Sequence, residues 1–325
     1  MVNAQSVCAV VVTFNRKDLL IECLSALLKQ TRPVDAIYLI DNASTDLTER
    51  LLLEHGYIRD LPPPDCGAPW EMLYKVQRFG GSMLDLFYVR MHENTGGAGG
   101  FHEGVKRAYE RGYEWLWLMD DDVKPAEEGL EKLLHVADEG YLCIQPVRVG
   151  LDGKVVKWER SYDPKLCRDF TRKGDSFRDG KTIEPINIGC FEGMLIHHTV
   201  VEKIGFPDSR FFIAGDDVVY GYLASRVTPV VYANVVALIK LLPRKPISSF
   251  SLYYHLRNHF LQLHVMRELG EASWKAPFAV AAVYFQAVRR AIAKSFGKKK
   301  YQAYTVETIW PALADGLKGA WGRRS

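Results

Sequence analysis

The sequence runs to 325 residues, of which 48% are hydrophobic and 25% charged. These globular proportions exclude a disordered, collagen-like or coiled-coil chain and suit one large domain with an appended region. Forty-two basic against 39 acidic residues leave a net charge of +3, too balanced for a surface that engages nucleic acid as a whole, so no nucleic-acid partner is expected.

The six cysteines are scattered, without a CxxC pair, which suits a reducing, cytoplasmic setting and neither a disulfide framework nor a structural zinc. The apolar stretch near the N-terminus is short, lacks a preceding basic region and ends in turn residues, so it reads as a strand rather than an export signal. No run approaches the roughly 18–20 apolar residues of a membrane-spanning helix.

In chain order, CAVVVTF (8–14) predicts a strand, LLIECLSALLKQ (19–30) an amphipathic helix and AIYLID (36–41) a second strand, together a parallel βαβ unit. Ser44 or Thr45 is expected to cap the next helix, carrying Leu47, Leu51 and Leu52. Segment 58–82, with three consecutive prolines, reads as an inserted loop or ribbon. LDLFYVRM (84–91) is the third expected strand, 97–112 a helix and EWLWLM (114–119) the fourth strand. Pro125 is expected to open a helix over 126–140. Segment 141–190 suggests short strands and loops, apolar structure returns around 189–225, and the chain is helical from about 248.

Asp120, Asp121 and Asp122 end the fourth strand, the edge at which open α/β sheets bind ligands. Adjacent carboxylates repel unless a cation compensates, and hard Mg²⁺ or Mn²⁺ prefers such oxygen ligands. In an extended turn Asp120 and Asp122 share a side while Asp121 points elsewhere. A solvated, helix-capping turn is the plainer alternative. The glycines of NTGGAGG (94–100) permit close backbone approach to a phosphate or sugar at a helix N-terminus, or simply tight helix packing. His102 stands where a dinucleotide fingerprint needs glycine. Asp216 and Asp217 lie between apolar runs. Burial would raise a carboxyl pKa towards that of a general base, unless an arginine neutralises it. His255 and His259 stand four apart, but Leu256 excludes the zinc-protease signature, leaving polar-face or core roles.

The order VVTFNR (11–16), LIDNASTD (39–46), NTGGAGGF (94–101), WLMDDD (117–122), GCFEGMLI (189–196), GDDVVYGY (215–222) and YYHLRN (253–258) resembles the family 2 glycosyltransferases. The nearest likeness is to bacterial galactofuranosyltransferases and rhamnosyltransferases. The resemblance implies the GT-A fold, an α/β Rossmann-like, mostly parallel sheet flanked by helices. It would occupy residues 1–247, with a nucleotide-sugar half (about 1–125) and an acceptor half (about 126–247), followed by a C-terminal helical region (248–325).

By that resemblance Thr13, Phe14, Asn15 and Arg16 would line the nucleotide, with Asn94, Gly97 and Asp121 also on the donor side. Asp41 would accept from the base imide, and Asp120 and Asp122 would hold Mn²⁺ or Mg²⁺. Asp217, with Asp216 as its competitor, would deprotonate the acceptor hydroxyl, inverting the anomeric centre. The family's further metal-ligand histidine is missing from VYANVVALIKLLP (231–243), so either His255 replaces it or the metal has fewer protein ligands. UDP-galactofuranose is the expected donor and dTDP-L-rhamnose the alternative, with a glycan or lipid-linked glycan acceptor in cell-surface polysaccharide synthesis. A sugar nucleotidyltransferase would want a basic glycine-rich loop where this chain has Thr13-Phe14-Asn15-Arg16, and a non-catalytic sugar-nucleotide binder would have eroded acids. The basic, aromatic helix after Trp274 suits peripheral contact with the inner face of the cell membrane equally with packing on the domain or a homo-oligomer contact.

Overall fold

The computed structural model describes residues 5–64, 67–157, 160–171, 176–243, 246–296 and 301–324. The expected βαβ unit is β1 (Val7–Thr13), α1 (Lys17–Leu27) and β2 (Ala36–Asp41), with Thr13 opposite Asp41 in a parallel pair. α2 (Thr48–Glu54) follows without a side-chain cap, entered through Leu47 at φ 68°. Ser44 and Thr45 are engaged elsewhere: the Asn15 amide donates to Ser44 Oγ at 3.0 Å, and the Thr45 amide donates to Asn15 Oδ1 at 2.6 Å. Both residues thus tie two loops together instead of capping the helix.

Segment 58–82 is partly a ribbon: β3 (Trp70–Gln77) pairs antiparallel with β4 (Met83–Arg90), and β4 joins β2 in parallel. α3 (Gly96–Glu110) leads to β5 (Trp115–Asp120), parallel to β1 on its other side. Next, β6 (Val123–Pro125) is a short strand where a helix start was expected. Its backbone pairs with the end of β12 (Val230–Lys240) and its Val123 is fully buried, so α4 (Gly129–Asp138) begins only at Gly129. β7 (Cys143–Gly150) is an eight-residue strand running parallel to β12, longer than the polarity of its region suggested. β8 (Arg160–Asp163) and β9 (Arg168–Thr171) form a separate pair, while β10 (Ile183–Ile186) and β11 (Leu195–His197) add antiparallel strands to the main sheet.

α5 (His198–Ile204) and α6 (Asp216–Ser225) precede β12, and α7 (Ser249–Glu268), α8 (Ala276–Ser295) and α9 (Val306–Lys318) end the chain. Among the described residues the main sheet runs β10-β12-β7-β11-β5-β1-β2-β4-β3, with β6 attached to β12. Val7, Ala9 and Val11 face one apolar core and Cys8, Val10 and Val12 the other. Burial on both faces explains why β1 reads as an unbroken apolar run. The five cysteines within the described residues are reduced and buried; Cys66 lies outside them.

The C-terminal helices are not a detached tail. α7, α8 and α9 share a third core with Phe211, Phe212, Val219 and Tyr222, which come from the segment around α6. The expected division at residue 247 therefore falls in a connection between elements that pack as one body.

Candidate active site

Asp120 ends β5 and Asp121 and Asp122 form the turn into β6, at the C-terminal ends of the parallel strands β1, β2 and β5. Pairing of β6 with β12 folds that turn back, and the Leu241 amide donates to the Asp122 carbonyl at 2.9 Å. Asp121 turns away from its neighbours and accepts from Thr13 Oγ1 at 2.7 Å and Arg16 at 2.9 Å. It thereby fixes the end of β1 rather than reaching outwards. Asp120 and Asp122 converge with Glu192: one carboxylate oxygen from each lies within 4.8 Å of the others.

Four carboxylates thus crowd this edge: Asp120, Asp121, Asp122 and Glu192. Arg16 lies 3.2 Å from Asp122 as well as pairing with Asp121, while Arg148 and Lys240 both ion-pair with Glu192. Three cations against four acids leave one charge uncompensated. Asp120 bears it: burial, then Asp122 and Glu192, push its carboxyl well above the usual range. Asp122 Oδ1 is buried without a hydrogen-bond partner, and Lys240 Nζ is 3.8 Å away. An orphaned carboxylate oxygen beside two further carboxylates is the donor set a hard divalent cation takes. Asp120, Asp122 and Glu192 therefore fit such an ion.

Glu192 had no role assigned from sequence, although its motif GCFEGMLI stood out. Its loop is pinned by the Gly193 amide donating to the Leu118 carbonyl at 2.8 Å and by Gln145 Oε1 accepting from the Cys190 amide at 3.0 Å. Lys240, in the stretch scanned only for a histidine, reaches the cluster because it ends β12. His255, expected as a replacement ligand, lies exposed on α7 outside the carboxylate group, in which Glu192 is the third acid. His259, half-buried one turn on, has its imidazole pKa lowered to about 4 by desolvation and then by His255.

A cavity of about 360 Å³ opens beside the aspartates, lined by Thr13, Phe14, Arg16, Asn94, Gly97, Asp120 and Asp121 among others. Seven of the residues singled out from sequence thus share one concavity. Asn42, Phe212, Phe250 and Ser251 also line it and were missed. Two of the residues expected on the nucleotide side stand apart. Asn15 braces the loops, as described. Asp41 is fully buried and accepts from Ser44 N, Tyr88 Oη and Arg90 at 2.6–2.9 Å, so it organises the loop after β2 instead of presenting an acceptor to a base. The glycine turn serves packing more than ligand approach: at Gly96, φ is 73° and a Cβ would lie 2.0 Å from the Phe212 carbonyl. Only around Gly97, of the turn's glycines, is the space open.

Asp216 and Asp217 are the first residues of α6. That helix reaches the Glu192 loop through a contact no side chain would allow, since a Cβ on Gly221 would lie 1.9 Å from Gly189 N. Burial, then Asp217, raises the Asp216 carboxyl to about 8. Burial also raises Asp217, to about 6, against hydrogen bonding from the Val218 amide. Asp217 is the member whose electrostatic neighbours are Glu192 and Arg148, on the metal-competent side.

The turn before this pair is held in uncommon backbone conformations, with φ at 65° for Phe212 and 69° for Ala214. Such a run persists only where its surroundings enforce it. Asn258, buried on α7, does so by donating to the carbonyls of Phe211, Ile213 and Ala214 at 2.7–3.0 Å, and Arg257 donates to the Phe211 carbonyl at 2.9 Å. This is the structural content of YYHLRN. Asn258→Ala is expected to cost about 2–4 kcal/mol in denaturant unfolding, because the Ile213 and Ala214 carbonyls lose their donor while the Phe211 carbonyl keeps Arg257. A loss below about 1 kcal/mol would show that the turn holds itself.

The family model for glycosyl transferase family 2 matches residues 8–61 and 69–205. The chain belongs to that family, and its sheet and helices are those of the GT-A fold. Galactofuranosyltransferase GlfT1 of Mycolicibacterium smegmatis is 29% identical over 232 residues, covering 67% of this chain and 65% of that protein. The Mycobacterium tuberculosis GlfT1 is 29% identical over 219 residues, covering 66% and 62%. The chain thus spans less than two thirds of the length of these relatives. Among solved structures, Staphylococcus aureus TarS 1-349 in complex with UDP superposes with a TM-score of 0.55 at 12% identity, over 96% of this chain and 79% of that one. The same protein in complex with UDP-GlcNAc gives 0.56 at 14% identity, over 96% and 81%.

Proposed function

We propose that this protein is an inverting, metal-dependent glycosyltransferase that moves galactofuranose from UDP-galactofuranose to a hydroxyl of a glycan or lipid-linked glycan acceptor in cell-surface polysaccharide synthesis. One observation carries the reading: a carboxylate triad fit for a divalent cation adjoins the cavity at the strand ends through Asp120, with the buried acid Asp217 an electrostatic neighbour of Glu192. The likeness to galactofuranosyltransferases supports the donor, and the UDP-bound neighbour with the same fold supports a nucleotide-diphosphate site.

Thr13, Phe14, Arg16 and Gly97 would contact the nucleotide and diphosphate in the cavity, and Asp121 would keep Thr13 and Arg16 in place. Asp120, Asp122 and Glu192 would hold Mn²⁺ or Mg²⁺, which when bound offsets negative charge on the leaving diphosphate. The Arg16 guanidinium lines the cavity and adds positive charge there. Asp217, ionised above about pH 6, would take the acceptor proton, and attack opposite the diphosphate inverts the anomeric centre. A lipid-linked acceptor would place the work at the inner face of the cell membrane.

A thermal-shift panel with Mn²⁺ tests the donor. UDP-galactofuranose at about 100 times its Kd should raise Tm by about 5 °C, and UDP-galactopyranose, UDP-glucose and dTDP-rhamnose by less. A larger shift with dTDP-rhamnose would make the protein a rhamnosyltransferase, and no shift with any of them would overturn the donor reading.

A further inference from the structure

α8 buries one face in the third core through Val280, Tyr284 and Ala287, each no more than 7% exposed. Its other face is unusual for a packed helix. Phe278, Phe285 and Ile292 recur every seven residues and Phe296 stands eighteen beyond Phe278, which places all four within a stripe of about 40°. They are 67%, 65%, 54% and 83% exposed. On neighbouring α9, Val306, Trp310 and Leu317 form a second exposed apolar stripe, and a groove of about 590 Å³ runs between the two helices. Scattered exposed apolar residues need no explanation, but two adjoining stripes with a groove between them mark a contact surface.

The charge around this surface selects its occupant. α8 contains no acidic residue and carries Arg289, Arg290 and Lys294, with Lys275 just ahead of it and three lysines at 298–300 in the sequence beyond. Arg289 is exposed at the edge of the apolar stripe, while Arg290 is drawn to Tyr304, whose hydroxyl accepts from it at 2.7 Å. On α9, Asp315 is turned inwards and accepts from Tyr253 Oη at 2.6 Å, so Glu307, exposed at the start of the helix, is the one acid among the described residues that lines the groove, against the basic groups of α8. A second copy of the chain meeting this face through a two-fold axis would set these basic groups against themselves. No described helix is long and apolar enough to cross a membrane, so the stripe would lie along a surface.

We infer that the α8–α9 face docks onto an anionic phospholipid bilayer, with the aromatic stripe entering the interface and the arginines and lysines meeting lipid phosphates. This surface is separate from the cavity at the strand ends and does not depend on the donor assignment.

The test is co-sedimentation of the full chain with vesicles of phosphatidylcholine containing about 30% phosphatidylglycerol, against phosphatidylcholine alone. Binding is expected to the anionic vesicles only and to weaken at about 0.5 M salt. Arg289→Gln should lower the affinity about fivefold, and Phe285→Glu by about tenfold or more. Both positions are exposed, so Tm and the nucleotide-induced shift should stay at wild-type values, separating failure of docking from failure of the donor site. Equal binding to both vesicle types, no binding to either, or unchanged binding in both variants would overturn the inference. So would a dimer in sedimentation velocity that Phe285→Glu converts to a monomer without any vesicle binding.

Discussion

Asp217→Asn is expected to lower the transfer rate about 10³-fold while leaving Mn²⁺-dependent donor affinity within about twofold, because a base that acts on the acceptor contributes nothing to holding the donor. The substitution keeps the size of the side chain and its acceptance from Val218 N, so folding is not at stake. The pH dependence gives an independent readout. With the Asp217 carboxyl at about 6, the ionised base is depleted as pH falls, so the transfer rate should decline below about pH 6 and level off above it. Asp216 is its close neighbour and the two titrate together, so the apparent inflection belongs to the pair. Asp216→Asn separates them: Asp216, raised to about 8, is still protonated where Asp217 ionises, so the inflection should stay near pH 6 and most of the activity should remain. If Asp216→Asn abolishes transfer while Asp217→Asn retains it, the assignments exchange.

Asp122→Ala should weaken Mn²⁺ binding by about 100-fold or more, measured by calorimetry without substrate, since even supporting partners of metal ligands are worth about 10–100-fold. Glu192→Gln should behave similarly, although Arg148 and Lys240 would then lose their shared charged partner and Lys240 would turn towards Asp122. Asp121→Asn should instead affect the nucleotide side, because that carboxylate holds Thr13 and Arg16. Equal Mn²⁺ affinity in wild type and Asp122→Ala would remove the metal from the proposed mechanism. Donor binding should follow the metal: if Asp122→Ala binds the donor as well as wild type with and without Mn²⁺, the triad serves only to balance charge.

Much of this site was legible because local patterns report local geometry. β1, β2 and β5 are apolar runs that end abruptly in polar residues, so the sequence placed Thr13, Phe14, Arg16 and the three aspartates at one edge of a parallel sheet. The alternation of Asp120 and Asp122 against Asp121 followed from extended-chain geometry alone. Glu192 and Lys240 were not legible in the same way. Glu192 sits in a loop whose position depends on hydrogen bonds to Gln145 and Leu118, and Lys240 arrives only because β12 pairs with β6 across more than a hundred residues. The surroundings of Asp41 were not legible either: it ends β2, and Arg90 and Tyr88 from the neighbouring β4 enclose it.

By itself the sequence determined the strand and helix order, the family, the acidic edge and the amphipathic, basic character of α8, all of which depend on residue type and short spacing. Tertiary structure decided which carboxylate completes the triad, which glycines serve packing and which face of α8 remains open. Those outcomes depend on contacts between segments distant in the chain, and no local pattern carries their geometry.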